Sequence, residues 1–149
     1  MAFAEYVRSE QVVSTSKVSA TLANTAWELT GSVVLTGEQA AYRNIGRLGA
    51  DVVPQHPLAP GQRTWGAVQL VARYSALTID PRAFTLGLAT PGASQQARAY
   101  AVGIDWYLNE YVKYVAAFER TVFDHNPSGP RKPENAVTFR IQLNLQPTT

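Results

Sequence analysis

From Ala136 to Gln146 the chain reads AVTFRIQLNLQ, an alternation of apolar and polar residues that is unbroken from Val137 on. Successive side chains of a strand point to opposite faces, so Val137, Phe139, Ile141, Leu143 and Leu145 share one face and Thr138, Arg140, Gln142 and Asn144 the other. A period of two does not fit a helix, and it recurs through most of the sequence. The fold class is therefore all-β. Phe3–Val13 reads as a strand. Ala26–Glu38 sets Trp27, Leu29, Gly31, Val33 and Leu35 against Glu28, Thr30, Ser32, Val34 and Thr36. Trp65–Ile79 sets Val68, Leu70, Ala72, Tyr74 and Ala76 against Ala67, Gln69, Val71, Arg73 and Ser75. Tyr100–Asp124 is a hairpin, two alternating runs that meet at Leu108-Asn109-Glu110-Tyr111.

These are about six strands of roughly 9 to 13 residues, longer than the usual five or six and close to the length that crosses a bilayer with tilt. The architecture expected is an antiparallel transmembrane β-barrel portion, with one face of each strand toward lipid and the other toward water. Connection lengths support this. The Asn109-Glu110 turn is tight, whereas residues 80–95 and 124–134 are long and rich in Pro, Gly and Ser, as extracellular loops of such barrels are. Trp65, Trp106, Tyr107 and Tyr111 then gather at the periplasmic interface, where amphipathic rings are favoured. Residues 39–64 fit less well: parity puts this longest connection on the periplasmic side, with room for a short element such as Gly49–Val53.

Composition narrows the function. Charged residues make up 16% of the 149 positions, against about a quarter in ordinary soluble domains. A net charge of +2 with scattered basic residues does not make a nucleic-acid footprint. There is no cysteine, hence no disulfide, thiolate metal site or cysteine nucleophile. No apolar run approaches the ~20 residues of a membrane helix, and MAFAEYVRSE lacks the basic and apolar regions of a signal peptide. His56 and His125 have no second ligand at metal spacing. Asp124, His125 and Ser128 supply the letters of a triad but crowd into one Pro-Gly loop without an oxyanion donor, so no enzyme, metal or cofactor is expected.

AWELTGSVVLTGE, a Pro-containing spacer, WGAVQLVARYSALTID, VGIDWYLNEYVKYVAAFERTVFD and a closing AVTFRIQLNL follow one another in an order that resembles the C-terminal part of the phosphate-selective porin O and P family. LTGE at Leu35–Glu38, LVARYS at Leu70–Ser75 and DWYLN at Asp105–Asn109 are the most specific pieces. The resemblance implies a barrel of about sixteen antiparallel strands in a bacterial outer membrane, assembled as a homotrimer and passing inorganic phosphate or other small anions. Outer-membrane lipid and lipopolysaccharide are the implied surroundings. About six strands cannot close such a cylinder, so residues 1–149 are expected to be the C-terminal segment of a larger porin. Two departures stand out. The chain continues past Leu145 as QPTT without a terminal aromatic, and the family's constriction lies upstream of these residues, so none of its contacts is carried over.

If the apolar sets face lipid, the lumen receives Glu5, Glu28, Gln69, Arg73, Asp105, Lys113, Glu119, Arg140 and Gln142. Arg73, Lys113 and Arg140 would attract anions across a low-dielectric wall, or they would be neutralised by Glu28, Asp105 and Glu119 on neighbouring strands. GPRKP, Gly129–Pro133, reads as a soluble loop, and Tyr6, Tyr74, Tyr100 and Tyr114 as interface or packing residues. The competing architecture is a soluble antiparallel β-barrel or β-sandwich whose apolar faces enclose a core or a small ligand.

Overall fold

The computed structural model describes residues 1–16, 18–38, 52–90, 92–124 and 129–144. It contains six strands, β1 (Ala2–Ser14), β2 (Ser19–Val34), β3 (Ala67–Thr78), β4 (Gln96–Tyr107), β5 (Val112–Asp124) and β6 (Glu134–Leu143). A single helical turn, α1 (Pro81–Thr85), stands between β3 and β4. Every strand pairs antiparallel with the next, so the sheet order is the chain order, an up-and-down meander.

The strand bounds show what the alternation misses. β2 begins at Ser19 rather than Ala26, because SATLANT is regular strand without hydrophobic contrast. β3 begins at Ala67 rather than Trp65: Gly66 has φ +76° and turns the chain in front of it. Gly37, at φ +92°, closes the other side of the same connection. Of the short element at Gly49–Val53, residues 49–51 lie outside the described set, and Val52 is buried without strand pairing.

The length of β2 explains the docking of α1. Pairing between β2 and β3 stops at Thr25 and Thr78, which leaves Ser19–Asn24 with a strand on one side only. The chain after β3 supplies the missing partners. The Asp80 carboxylate accepts the Ala23 amide at 2.9 Å, Arg82 Nη2 donates to the Thr21 carbonyl at 2.7 Å, and Asn24 Oδ1 accepts the Asp80 amide at 3.1 Å. A short loop thus satisfies backbone groups that would otherwise form an open edge. The same carboxylate caps α1 by accepting the Arg82 amide at 2.9 Å, and Pro81 occupies the first turn, where no donor is needed.

Hydrogen bonds from the Arg82 side chain, then from the Ala23 and Arg82 amides, hold the Asp80 carboxyl well below the usual carboxylate range. A depressed folded pKa contributes stability above the ordinary carboxylate value and loses it as pH falls through the folded one. Amide exchange at Ala23 should therefore stay slow at about pH 4, where ordinary aspartates are half titrated, and become fast in Asp80→Ala at neutral pH. Equal exchange in the two proteins would show that the loop does not protect this edge.

The sheet stands as one layer. Its accessible surface is 10438 Å², against roughly 7500 Å² for a compact chain of 149 residues. Among the described residues no large side chain is fully buried, and Leu22, Val52, Ala67, Ala83 and Tyr107 are the buried apolar ones. None of these comes from a second sheet, so the described residues form no sandwich core. The register places Leu29, Tyr74 and Tyr100 in one cross-strand row, Val33, Leu70, Ile104, Ala116 and Phe139 in another, and Val68, Trp106, Tyr114 and Ile141 in a third, all on one face. That face is open to the surroundings, with Phe139 80% exposed.

Candidate channel-lining face

Behind the apolar face lies a groove of about 610 Å³ to which all six strands contribute, including Phe3 and Glu5 of β1 and Arg140 of β6. The register brings the polar side chains expected in a lumen onto this one surface. Thr30, Arg73, Ala101, Glu119 and Ala136 form one row; Val34, Gln69, Asp105, Val115 and Arg140 a second; Ala67, Tyr107, Lys113 and Gln142 a third. Glu28 stands beside Ser75, one row beyond Arg73, and directly opposite Glu5.

Two charge clusters form, separated by the small row Ser32, Val71, Gly103, Ala117 and Thr138. In the first, Arg73 Nη2 meets Glu119 Oε2 at 2.5 Å and Arg73 Nε lies 3.9 Å from Glu28 Oε2. Arg73 is on β3 and Glu119 on β5, so the guanidinium crosses β4, which presents only Ala101 in that row. Both side chains remain more than a third exposed, and water limits the pair to about 1 kcal/mol or less. In the second cluster Lys113 Nζ donates to Asp105 at 3.1 Å and to the Tyr107 hydroxyl at 3.4 Å, and sits 4.7 Å from the Tyr107 ring centre. Tyr107 in turn donates to Gln69 Oε1 at 2.9 Å. The neutralised arrangement therefore holds for Arg73 and Lys113. Arg140 differs: among the described residues its side chain has no hydrogen-bond or ion-pair partner.

The described part of the β2–β3 connection, from Val52 on, covers one end of the polar face. Val52 packs on Ala67 and Tyr107, with Val34 alongside, all on the polar face. Several contacts fix it there. Glu38 accepts from the Thr36 hydroxyl and, at 3.4 Å, from the Gln55 amide; the Leu58 amide donates to the Leu108 carbonyl at 2.7 Å; the Gly66 amide donates to the His56 carbonyl at 3.0 Å. Burial alone would raise the Glu38 pKa, but its hydrogen bonds from Thr36 and from the Glu38 and Gln55 amides hold it below the ordinary carboxylate value. At Gly66 a Cβ would stand 2.1 Å from the Tyr107 carbonyl oxygen, so only glycine allows this approach.

The four aromatics expected at one interface all lie at one end of the sheet but take different faces. Trp106 lies on the apolar face, its ring 6.0 Å from Tyr114 and its Nε1 donating to the Trp65 carbonyl at 2.6 Å. Trp65 is 70% exposed and Tyr111 is exposed beside the Asn109 turn. Tyr107 instead sits on the polar face, buried beneath Val52. A second aromatic series, Trp27, Tyr74 and Tyr100, crosses the opposite end of the apolar face with ring centres 4.9 Å apart at each step. Of the residues weighed for a triad, Asp124 is ion-paired to Arg98, and His125 and Ser128 lie outside the described residues.

A polar concave face, an open apolar face and aromatic rows at both ends of the latter are features of a membrane-barrel wall. The profile of the phosphate-selective porin O and P family matches residues 3–145. The chain belongs to that family. No curated protein and no solved structure matches at a significant level. The family is one of phosphate-selective porins, which agrees with an all-β sheet and with residence in a bacterial outer membrane. For this porin, the latch at Asp80 and the cover at Val52 were not legible as function-bearing features. Their signals were Asp-Pro ahead of a helical turn and a glycine whose φ is positive.

Proposed function

We propose that the chain is the C-terminal part of an outer-membrane porin of about sixteen strands, working as a homotrimer. Its polar face would line a passive aqueous channel for small anions, phosphate or polyphosphate, without a covalent step. One observation carries this reading: the register puts Glu28, Gln69, Arg73, Asp105, Lys113, Glu119, Arg140 and Gln142 on one face of a single-layer sheet and most of the exposed large apolar side chains of β2 to β6 on the other. A sheet one layer thick needs a nonpolar medium against its apolar face, and lipid is such a medium. The end bearing α1 and the β5–β6 connection is then extracellular, and the end bearing Asn109 and the Val52 cover is periplasmic. Comparing β-sheet circular dichroism and gel mobility before and after boiling tests the orientation. A heat-sensitive β form that appears only in micelles supports the membrane reading, and a stable fold in plain buffer removes it.

The ion pairs give a sharper test of selectivity. With Arg73 held by Glu119 and Lys113 by Asp105, Arg140 is the cation whose field is least offset. Arg140→Gln should shift the reversal potential toward cation permeation, whereas Glu119→Gln should release Arg73 and shift it toward anions. Displacement of the same sign from both variants, or none from either, would mean that this wall does not set selectivity.

A further inference from the structure

We propose that Arg120 anchors a site on the outward face for the phosphate of an outer-leaflet lipid headgroup. The inference rests on the membrane orientation proposed above. On β5 the outward series runs Tyr114, Ala116, Phe118 and then Arg120, a guanidinium on an otherwise apolar surface. Three basic residues of the strands share that face: Arg8, Arg98 and Arg120. Arg8 pairs with Glu10 at 2.6 Å, and Arg98 Nε donates to Asp124 Oδ2 at 2.9 Å. Both local carboxylates are thereby engaged, and among the described residues the Arg120 side chain has no hydrogen-bond or ion-pair partner.

A charge on a lipid-facing wall needs a counter-charge or access to water. Arg120 lies four residues from Asp124 at the end of β5, about 13 Å along the strand and less than that along a tilted normal. An arginine there reaches headgroup level by extending its stem along the apolar surface. The depth agrees with the aromatic series Trp27, Tyr74 and Tyr100, since Tyr100 stands directly opposite Arg120 in the register and rings of this kind settle at headgroup depth. On the other flank of Arg120 stands Asn135 of β6. Tyrosine hydroxyl, guanidinium fork and carboxamide thus occupy one cross-strand row, a set of donors suited to the oxygens of a phosphate. A headgroup supplies that anion at that depth.

Native mass spectrometry of the channel extracted from outer membranes in mild detergent tests the site. Wild-type protein should retain a phosphorylated glycolipid, and Arg120→Gln should retain it about tenfold less, the loss of one charge-assisted contact. After delipidation, diphosphoryl lipid A should rebind, while its dephosphorylated form and inorganic phosphate should not. Equal retention by Arg120→Gln, or saturable binding of free phosphate at Arg120, would overturn the proposal. Dissociation of the trimer by Arg120→Gln without change in lipid retention would also overturn it, assigning the guanidinium to a neighbouring subunit. Failure of the membrane reading itself shows separately, as a wild-type protein that folds in buffer and carries no lipid.

Discussion

Phe139→Arg is expected to lower the stability of the inserted barrel by about 2–4 kcal/mol, the cost of a charged side chain at the bilayer midplane. Phe139 shares its row with Val33, Leu70, Ile104 and Ala116, between the aromatic series at Tyr100 and the pair Trp106 and Tyr114. Those aromatic levels are six residues apart on β4, about 20 Å along the strand. Ile141, in the row of Trp106 and Tyr114, lies nearer an interface, and Ile141→Arg should cost about 1 kcal/mol. Thr138→Arg, next to Phe139 but on the polar face, should be close to neutral because water reaches it. Reversible denaturant unfolding from micelles gives all three values. If Thr138→Arg proved the most damaging of them, the two faces would have been assigned the wrong way round.

Gly66→Ala should produce the other large effect. The left-handed backbone at φ +76° disfavours any Cβ by about 1–2 kcal/mol, and overpacking adds about 1–3 kcal/mol. The added atom would meet the Tyr107 carbonyl oxygen at 2.1 Å, a backbone atom of β4 that has little freedom to retreat. Release of the β2–β3 connection is the cheaper response, since Val52, Gln55 and Leu58 hold it by a few contacts while β4 is bonded on both sides. The expected consequence is an uncovered end of the groove and a higher single-channel conductance. With no native cysteine, Val52→Cys offers background-free labelling: slow in an otherwise native channel, fast once Gly66→Ala is added. Labelling rates that do not change would mean that the connection is held by something other than the close approach at Gly66.

Alternation revealed which face each side chain takes wherever polar and apolar residues contrast, as in AVTFRIQLNL, and the tight hairpin at Asn109 followed from the same pattern. It was silent where contrast fails. SATLANT forms nearly half of β2 yet, Leu22 apart, offers only small and weakly polar residues to either face. The turn at Pro81–Thr85 is too short to display a helical period, although Asp80-Pro81 is a legible start signal. Tyr107 shows a different limit: its parity with Asp105 puts it on the polar face, whereas its aromatic character suggested an interface. Parity prevailed because Gln69 and Lys113 offer its hydroxyl partners there. Alternation assigns faces but not register, so the choice of Glu119 as partner for Arg73 emerged only with the pairing of three strands.

That choice has a mechanical side. Neighbouring strands are about 4.8 Å apart, so Arg73 and Glu119 join strands separated by about twice that span. A tie over an intervening strand is a chord beneath an arc. Shortening the chord bends β3 and β5 toward one another around Ala101, whose small side chain leaves the arc free to close. The same guanidinium that offsets charge in the groove thereby favours the curved form of the wall, by no more than the roughly 1 kcal/mol of an exposed pair, while strand number and stagger fix the bore of a closed cylinder.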